Sequence, residues 1–529
     1  MQRRLDLIFV AACLVVVLGH AANLNRPYVN LEYAFAGAAR TLADPGYAEG
    51  LERYFQVQAN PLGYSIFASL LLRIVDTELS FWPARVPSLI GALLMLASGW
   101  LICRQMKVKP HVFCMWAAAT MTNPLIWLYS GQATADMLPA GLICLSFALC
   151  YLAGLDRSRW WMDLIAGLLF SLSIISKYNM ILLGAGFILL LLLLRATDTQ
   201  AGPAGSDSPN TNNRPSRKRF VIRMLYYAVL PAVAIVTYLL LVDHFFDVFI
   251  MPDRHKGTYG MTAFLSQYPA ILMMYLTYLI MLLGFLGLSA AIGTFLQLSR
   301  TQRIVAGVAA VVTAGLAYLL LLNFATGEMD YGGFDQILPD AVFNLLRIMG
   351  LPLAGFAVWH LVVAAYRGKD AIAGFILAAL GPYLLVSSCF RPAQRYLMVP
   401  VALLVFYFVI NPPKPLIKWT PWLVWSSVVV FCIISLVGSV YLRAQGQAAH
   451  QMAVWIQDNG YADKTRPGAI AVHAGQFFPV NRRRPFQYVV KSGPAEKPIH
   501  QTTMTLWGKD IRRYSLIAVQ PEKPGKPNP

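Results

Sequence analysis

Long apolar runs separated by short polar breaks pattern the chain almost from end to end. Runs over 5–22, 84–103, 111–128, 137–155, 220–242 and 419–442 reach or approach the ~20 residues needed to cross a bilayer core as a helix. Further runs at 160–175, 179–194, 268–298, 304–322, 341–366, 371–388 and 396–410 bring the expectation to about 13 transmembrane helices. The polar triplet Ser176-Lys177-Tyr178 predicts a tight turn between two of them. The pattern is that of an all-α polytopic membrane protein.

Composition agrees. Of 529 residues, 57% are hydrophobic and only 13% charged, against about a quarter charged in ordinary soluble domains, and the mean hydropathy is +0.55. The net charge of +18 is distributed unevenly. With the amino terminus inside, the inner loops carry 18 Lys/Arg and the outer loops before the tail carry 9, as retention of positive charge in the cytoplasm requires. An odd number of spans then puts the carboxyl terminus outside. The first run has the charge flanks of a cleaved signal peptide as well; we read it as a retained span, because it anchors the loop that follows. The basic segment at 214–219 borders a span and reads as a topology anchor on anionic lipid, so no nucleic-acid partner is expected. All seven cysteines lie in or beside apolar runs, which suggests packing and not a disulfide framework.

Two regions depart from the apolar pattern. Residues 196–219, rich in Gly, Pro, Ser and Asn, predict a disordered cytoplasmic linker within a transmembrane domain spanning 1–442. Beyond it, 443–529 turn polar and predict a small α+β outer domain, with a helix at 447–459 and strands at 469–472 and 488–490.

The first outer loop, 23–82, is too patterned to be a plain connector. Leu31, Ala34, Phe35, Ala38 and Leu42 recur at helical spacing, and 61–75 form a second apolar stretch too short to span. Two interfacial helices would form a rim above a membrane cavity, with Glu32 off the apolar stripe of the first.

Several short motifs then follow in order: Asn30-Leu31-Glu32-Tyr33, Asn60-Pro61-Leu62-Gly63-Tyr64, Ala84-Arg85-Val86-Pro87-Ser88, Asn123-Pro124, and Ser130-Gly131-Gln132-Ala133-Thr134-Ala135-Asp136, with Ser176-Lys177 and Arg395-Tyr396-Leu397 further on. In this series the chain resembles membrane glycosyltransferases of the GT-C type, particularly the lipid A aminoarabinose transferases and the protein O-mannosyltransferases. Members of that family often have Asp before the Glu, where this chain has Leu31, and Pro-Pro where it has Asn60-Pro61. The resemblance implies inverting transfer of a sugar from a polyprenyl-phosphate donor to a lipid, glycan or protein acceptor on the outer side of a bacterial inner membrane.

Such chemistry needs a carboxylate to take the acceptor's proton and cations to hold the departing phosphate. Glu32 is the expected base; Asp136 would share that role, orient the acceptor or help hold a divalent ion. Each also has a plain alternative, a headgroup-solvated interfacial acid for Glu32 and a helix cap for Asp136. Arg395, Arg391, Lys177 and Arg347 are the phosphate-binding candidates, Arg347 lying inside an apolar run where a lone charge is expensive. Asp243, Asp247, Asp253 and His255 sit near one another in sequence, but nothing identifies a full metal ligand set, so metal dependence stays open. Absence of a Walker loop or nucleotide-binding glycine motif fits a donor arriving through the lipid. The competing expectation is a transporter or lipid flippase, in which the same charges would gate passage.

Overall fold

The computed structural model describes residues 2–29, 32–43, 51, 54–55, 60–75, 80–155, 159–200, 217–249, 267–323, 340–367, 370–389, 393–461, 464–466, 487–492, 495, 497–506 and 509–518. Within these the helices are α1 (Gln2–Leu24), α2 (Glu32–Ala43), α3 (Gly63–Leu72), α4 (Val86–Gln105), α5 (Pro110–Met121), α6 (Pro124–Ser130), α7 (Met137–Leu155), α8 (Trp160–Ser176) and α9 (Gly184–Gln200). They continue with α10 (Arg217–Phe246), α11 (Tyr268–Leu283), α12 (Phe285–Gln297), α13 (Arg300–Asn323), α14 (Asp340–Arg367), α15 (Ala371–Ser387), α16 (Met398–Ile410) and α17 (Thr420–Asp458). Among the described residues, α1, α4 with the 3-10 turn before it, α7, α10, α13, α14 and α17 are long and apolar enough to cross a membrane. The bent pair α11–α12 makes an eighth if taken as one span. The remaining expected spans correspond to shorter apolar helices, and the third is divided at Asn123-Pro124 into α5 and α6. Asn123 caps α6 by accepting from the Leu125 N–H at 3.2 Å, with Pro124 in the first turn where its missing N–H costs nothing.

The bend between α11 and α12 is 104°. It occurs at Gly284, whose φ of 59° suits a residue without Cβ, and a Cβ there would meet the Phe431 ring and Ser427 Oγ at 2.9 Å. Backbone groups freed by the break find side chains: Asn123 Nδ2 donates to the Leu282 carbonyl at 2.7 Å, and Ser427 Oγ accepts from the Phe285 N–H at 3.0 Å. This is the condition for interrupting a helix in an apolar surround.

The core of the bundle is the closely packed pair α4 and α7. A Cβ on Gly141 would lie 2.1 Å from the Gly91 carbonyl oxygen, so the two backbones touch where both residues lack a side chain. Helices form in both stretches where surface helices are expected, but the first is enclosed by the structure on most of its faces. In α2, Phe35, Ala36, Ala38 and Ala39 are buried; in α3, Tyr64, Ala68 and Leu72 face inward. Ile66, Leu70 and Ile74 stand exposed at four-residue spacing on and just beyond α3, an apolar edge suited to lying in an interface.

The expected linker 196–219 is helical at both ends, in α9 and α10, and its middle lies outside the described residues. The expected boundary near 443 falls inside α17, a single helix of 39 residues that already contains the tail helix expected at 447–459. Against its last turns packs a four-stranded sheet, β1 (Thr465–Arg466), β2 (Tyr488–Ser492), β3 (His500–Leu506) and β4 (Lys509–Ala518), in the order β1-β2-β4-β3. Only the β1–β2 pair is parallel. Ala449, Met452, Ala453 and Ile456 of the helix meet Val490, Met504, Tyr514 and Leu516 of the sheet. The strand expected at 469–472 lies outside the described residues.

Because α4 and α7 touch through backbone, a larger residue at Gly141 must separate them. Gly141→Val is expected to lower the thermal midpoint of the purified protein by several degrees, in line with the roughly 1–3 kcal/mol typical of overpacking. Gly315→Ala on α13, with nothing within 4 Å of its Cβ position, is the neutral control. Equal midpoints for the two variants would refute the close approach.

Candidate functional site

The segment after α1 returns to the bundle through one carboxylate. Glu32 opens α2 and is wholly buried. Its Oε1 accepts from Arg85 Nε at 2.8 Å and the Ala133 N–H at 2.8 Å; its Oε2 accepts from Arg26 Nη1 at 2.9 Å, the Val29 N–H at 2.8 Å and Arg85 Nη2 at 3.1 Å. Five donors on two oxygens exceed the roughly four lone-pair directions a carboxylate offers. Burial pushes the Glu32 carboxyl upward, but Arg26, Arg85 and the Ala133 amide prevail and hold it at about 2.

Arg85 is equally committed. Its Nη1 donates to the carbonyls of Leu24 and Arg26, both at 2.5 Å, and its Nη2 donates to Pro27 at 3.2 Å as well as to Glu32. The guanidinium also lies 5.0 Å from the centre of the Tyr28 ring. One arginine at the head of α4 therefore ties down the carboxyl end of α1, where a cation is favoured, and the start of α2.

Both oxygens of Glu32, the proton acceptor expected from the sequence, are thus engaged by side-chain and backbone donors. Through Ala133 Glu32 holds the turn 131–136, and Arg26 Nη2 reaches the Gly131 carbonyl in the same turn at 3.5 Å.

That turn ends at Asp136, just before α7. Lys177 Nζ, from the break after α8, forms a direct ion pair with Asp136 Oδ1. Arg395 Nε, from the 3-10 turn before α16, approaches the same oxygen at 3.7 Å. Tyr396 lies beneath both cations, its ring centre 4.9 Å from Lys177 Nζ and 5.9 Å from Arg395 Cζ. Burial draws the Lys177 ammonium below its ordinary value; Asp136 opposes this and Arg395 adds to it. Asn179 donates to the Tyr383 hydroxyl at 3.1 Å, while its own buried Oδ1 has no hydrogen-bond partner among the described residues. Within the cluster the Arg395 side chain is the most exposed, at 22% against 6% for Lys177 and 7% for Asp136.

Three of the expected phosphate and carboxylate residues thus meet. Arg391 lies outside the described residues. Arg347 on α14 makes no contact with this cluster among the described residues; its Nη1 donates to Asn344 at 3.4 Å. Asp253 and His255 lie outside the described residues. Among the described residues no three His, Cys, Asp or Glu side chains group as metal ligands. Sequence reasoning missed Arg26 and Arg85 as partners of Glu32, although an arginine opening an apolar run, as Arg85 does, is a signal that a counter-charge must be near.

Comparison with known proteins bears on this arrangement. Residues 59–201 match the family model described as dolichyl-phosphate-mannose-protein mannosyltransferase. The resemblance to GT-C membrane glycosyltransferases is thereby supported over a segment that holds Arg85, Ala133, Asp136 and Lys177. The crystal structure of ArnT from Cupriavidus metallidurans bound to undecaprenyl phosphate is 14% identical over 97% of this chain and 97% of that one, with a TM-score of 0.44. The oligosaccharyltransferase AglB from Archaeoglobus fulgidus, in complex with an inhibitory peptide and a dolichol-phosphate, is 13% identical over 91% of this chain and 61% of that one, with a TM-score of 0.42. No curated protein matches the chain.

Glu32 carries a pH signature. Its folded value of about 2 lies below the ordinary 4.5, so the stability it contributes is full above pH 4.5 and is lost as the pH falls toward 2. Glu32→Gln should cost about 3–5 kcal/mol near neutrality, as removal of one partner from a buried pair does. The gap to wild type should narrow between pH 5 and pH 3 in denaturant unfolding of the detergent-solubilised protein. A gap that is absent at pH 7, or constant down to pH 3, would count against the ion-pair account.

Proposed function

We propose that this protein is an integral membrane glycosyltransferase that moves a sugar from a polyprenyl-phosphate donor to an acceptor on the outer face of a bacterial inner membrane. The observation that carries this is the convergence of Asp136, Lys177 and Arg395 from three separate helix ends, beside two surface helices and largely within the segment matching the mannosyltransferase family model. A lipid-linked donor suits a site bordered by helices that lie in the interface. That one of the similar solved structures holds undecaprenyl phosphate and another dolichol-phosphate is in keeping with such a donor.

In this scheme Lys177 and Arg395 hold the phosphate, the lysine as a compact charge and the arginine as a planar fork. The acceptor oxygen attacks the anomeric carbon as the bond from that carbon to the phosphate oxygen breaks. Polyprenyl phosphate leaves with the electron pair, the acceptor's proton passes to a carboxylate, and the single displacement inverts the anomeric centre. With Glu32 committed to two arginines, Asp136 is the carboxylate placed to accept that proton. Thirteen crossings with an outer tail, a transmembrane domain over 1–442 and a small outer domain over 443–529 complete the proposal.

The test uses purified protein in nanodiscs, a radiolabelled polyprenyl-phosphate sugar pool, and acceptors extracted from the producing cell. Asp136→Asn should lower kcat about a hundredfold or more, the scale of a lost proton acceptor. Arg395→Lys should lower kcat/KM about tenfold or more, because it keeps the charge but loses the fork. Movement of intact lipid across the bilayer without sugar transfer would establish the flippase alternative instead. For topology, a reporter after Pro529 should behave as external and one near Ser206 as cytoplasmic; a cytoplasmic reporter at Pro529 would overturn the outer placement of the site.

A further inference from the structure

We propose that Asp136 is a built-in placeholder for the donor's phosphate: it occupies Lys177 and Arg395 while the site is empty and yields them when a lipid phosphate arrives. The inference rests on the reading of the site as one for polyprenyl phosphate.

The argument begins with the contrast between two carboxylates that share a turn. Glu32 is held by five hydrogen bonds, two of them from backbone N–H groups that cannot move away without unfolding their loops. Among the described residues, Asp136 meets only side-chain cations, Lys177 and Arg395, through its carboxylate. Its partners are long, rotatable arms, and its bonds can be exchanged without disturbing the backbone. The Asp136 residue is 6% exposed, whereas the Arg395 side chain is 22% exposed and accessible to solvent.

An empty phosphate site built at a membrane has a problem that such an aspartate solves. Lys177 is 5% exposed, and a buried ammonium without a counter-charge would be too costly to keep. Asp136 supplies that counter-charge in the empty state. A phosphate brings more oxygens and more negative charge to the same two cations, and it competes directly with the aspartate for them. Once displaced, Asp136 remains beside the first turn of α7, where the helix amino terminus favours an anion. It is then no longer clamped by the two cations and its oxygens are free to meet the acceptor just when the donor is in place. The placeholder therefore also explains how a carboxylate paired in the empty state can serve as a base in the loaded one.

The prediction separates binding from turnover. Removing the placeholder removes a competitor, so Asp136→Asn should bind polyprenyl phosphate about tenfold more tightly than wild type while losing transfer activity. An aspartate that merely positions Lys177 would give the opposite: weaker binding along with lost activity. Affinity would be measured on full-length protein in zwitterionic nanodiscs, with a short polyprenyl phosphate in one arm and inorganic phosphate in a second. Tightening in the first arm alone assigns the lipid-linked phosphate, and tightening in both assigns the phosphate group itself; either supports the placeholder. If wild type binds polyprenyl phosphate and Asp136→Asn binds it equally or more weakly, the placeholder is overturned and the donor site stands. If neither protein binds in either arm, the donor reading falls and the placeholder with it. An independent measurement needs no variant: infrared difference spectra of wild type carrying 13C-aspartate should show a carboxylate band shifting when the lipid phosphate is added. No shift at saturating ligand overturns the inference even if Asp136→Asn fails to fold.

Discussion

The ion pair of Glu32 with Arg26 and Arg85 is the constraint on which the site depends. Charges this deeply buried are tolerable only when every donor and acceptor is used, and here the accounting is complete: five N–H groups of Arg85 meet five acceptors, and both oxygens of Glu32 are full. The pair joins the end of α1 and the nearby start of α2 to two pieces of chain that are remote in sequence, the head of α4 and the turn 131–136. Loss of any one partner would strand the others in a dry environment. Such a junction does little chemistry of its own, yet it sets where Asp136 stands.

The two carboxylates illustrate how environment assigns roles to like side chains. Glu32 is surrounded by backbone and arginine donors and held well below the ordinary carboxylate range. Asp136, among the described residues, meets side-chain cations alone through its carboxylate. Polar clusters at the other end of the bundle also engage their carboxylates. Asp163 is bound to Arg223 at 2.9 Å and accepts from the Tyr227 hydroxyl at 3.1 Å; Asp370 caps α15 and accepts from the Tyr407 hydroxyl at 3.1 Å. These tie helix ends together. Their placement also fits the up-and-down course of the chain, since the helix ends gathered there are opposite to those that meet at Asp136.

Much of this was legible in the sequence because it is local. Apolar runs gave the helices, Ser176-Lys177-Tyr178 gave the break that presents Lys177, and spacing gave both surface helices. Asp136, Lys177 and Arg395 were each singled out as single residues. What the sequence did not yield was long-range. The partners of Glu32 come from positions 26, 29, 85 and 133, and no period or motif links them, so the sequence set Glu32 off the apolar stripe of α2 without showing what holds it. At the tail, hydropathy drops near 443 while the helical backbone of α17 continues across that position, because polar residues can extend a helix beyond its apolar part. The break at Gly284 was hidden inside one apolar run because its capping groups, Asn123 and Ser427, belong to other helices.

The continuity of α17 has a structural consequence for the site. Gly446, beyond the apolar part of the helix, lies so close to the first loop that a Cβ there would be 2.8 Å from the Pro27 carbonyl oxygen. That carbonyl is one of the acceptors holding Arg85 and Arg26. One turn further on, the His450 ring packs edge-on against Phe81, which in turn meets Tyr28, the residue under the Arg85 guanidinium. The same helix then carries the sheet on its last turns. A rigid rod thus runs from the bundle, past the Glu32 ion pair, to the sheet, and it covers the loop that the ion pair organises. Water reaching those carbonyls would compete for the arginines, and the small residue at 446 lets the helix approach closely enough to keep it out.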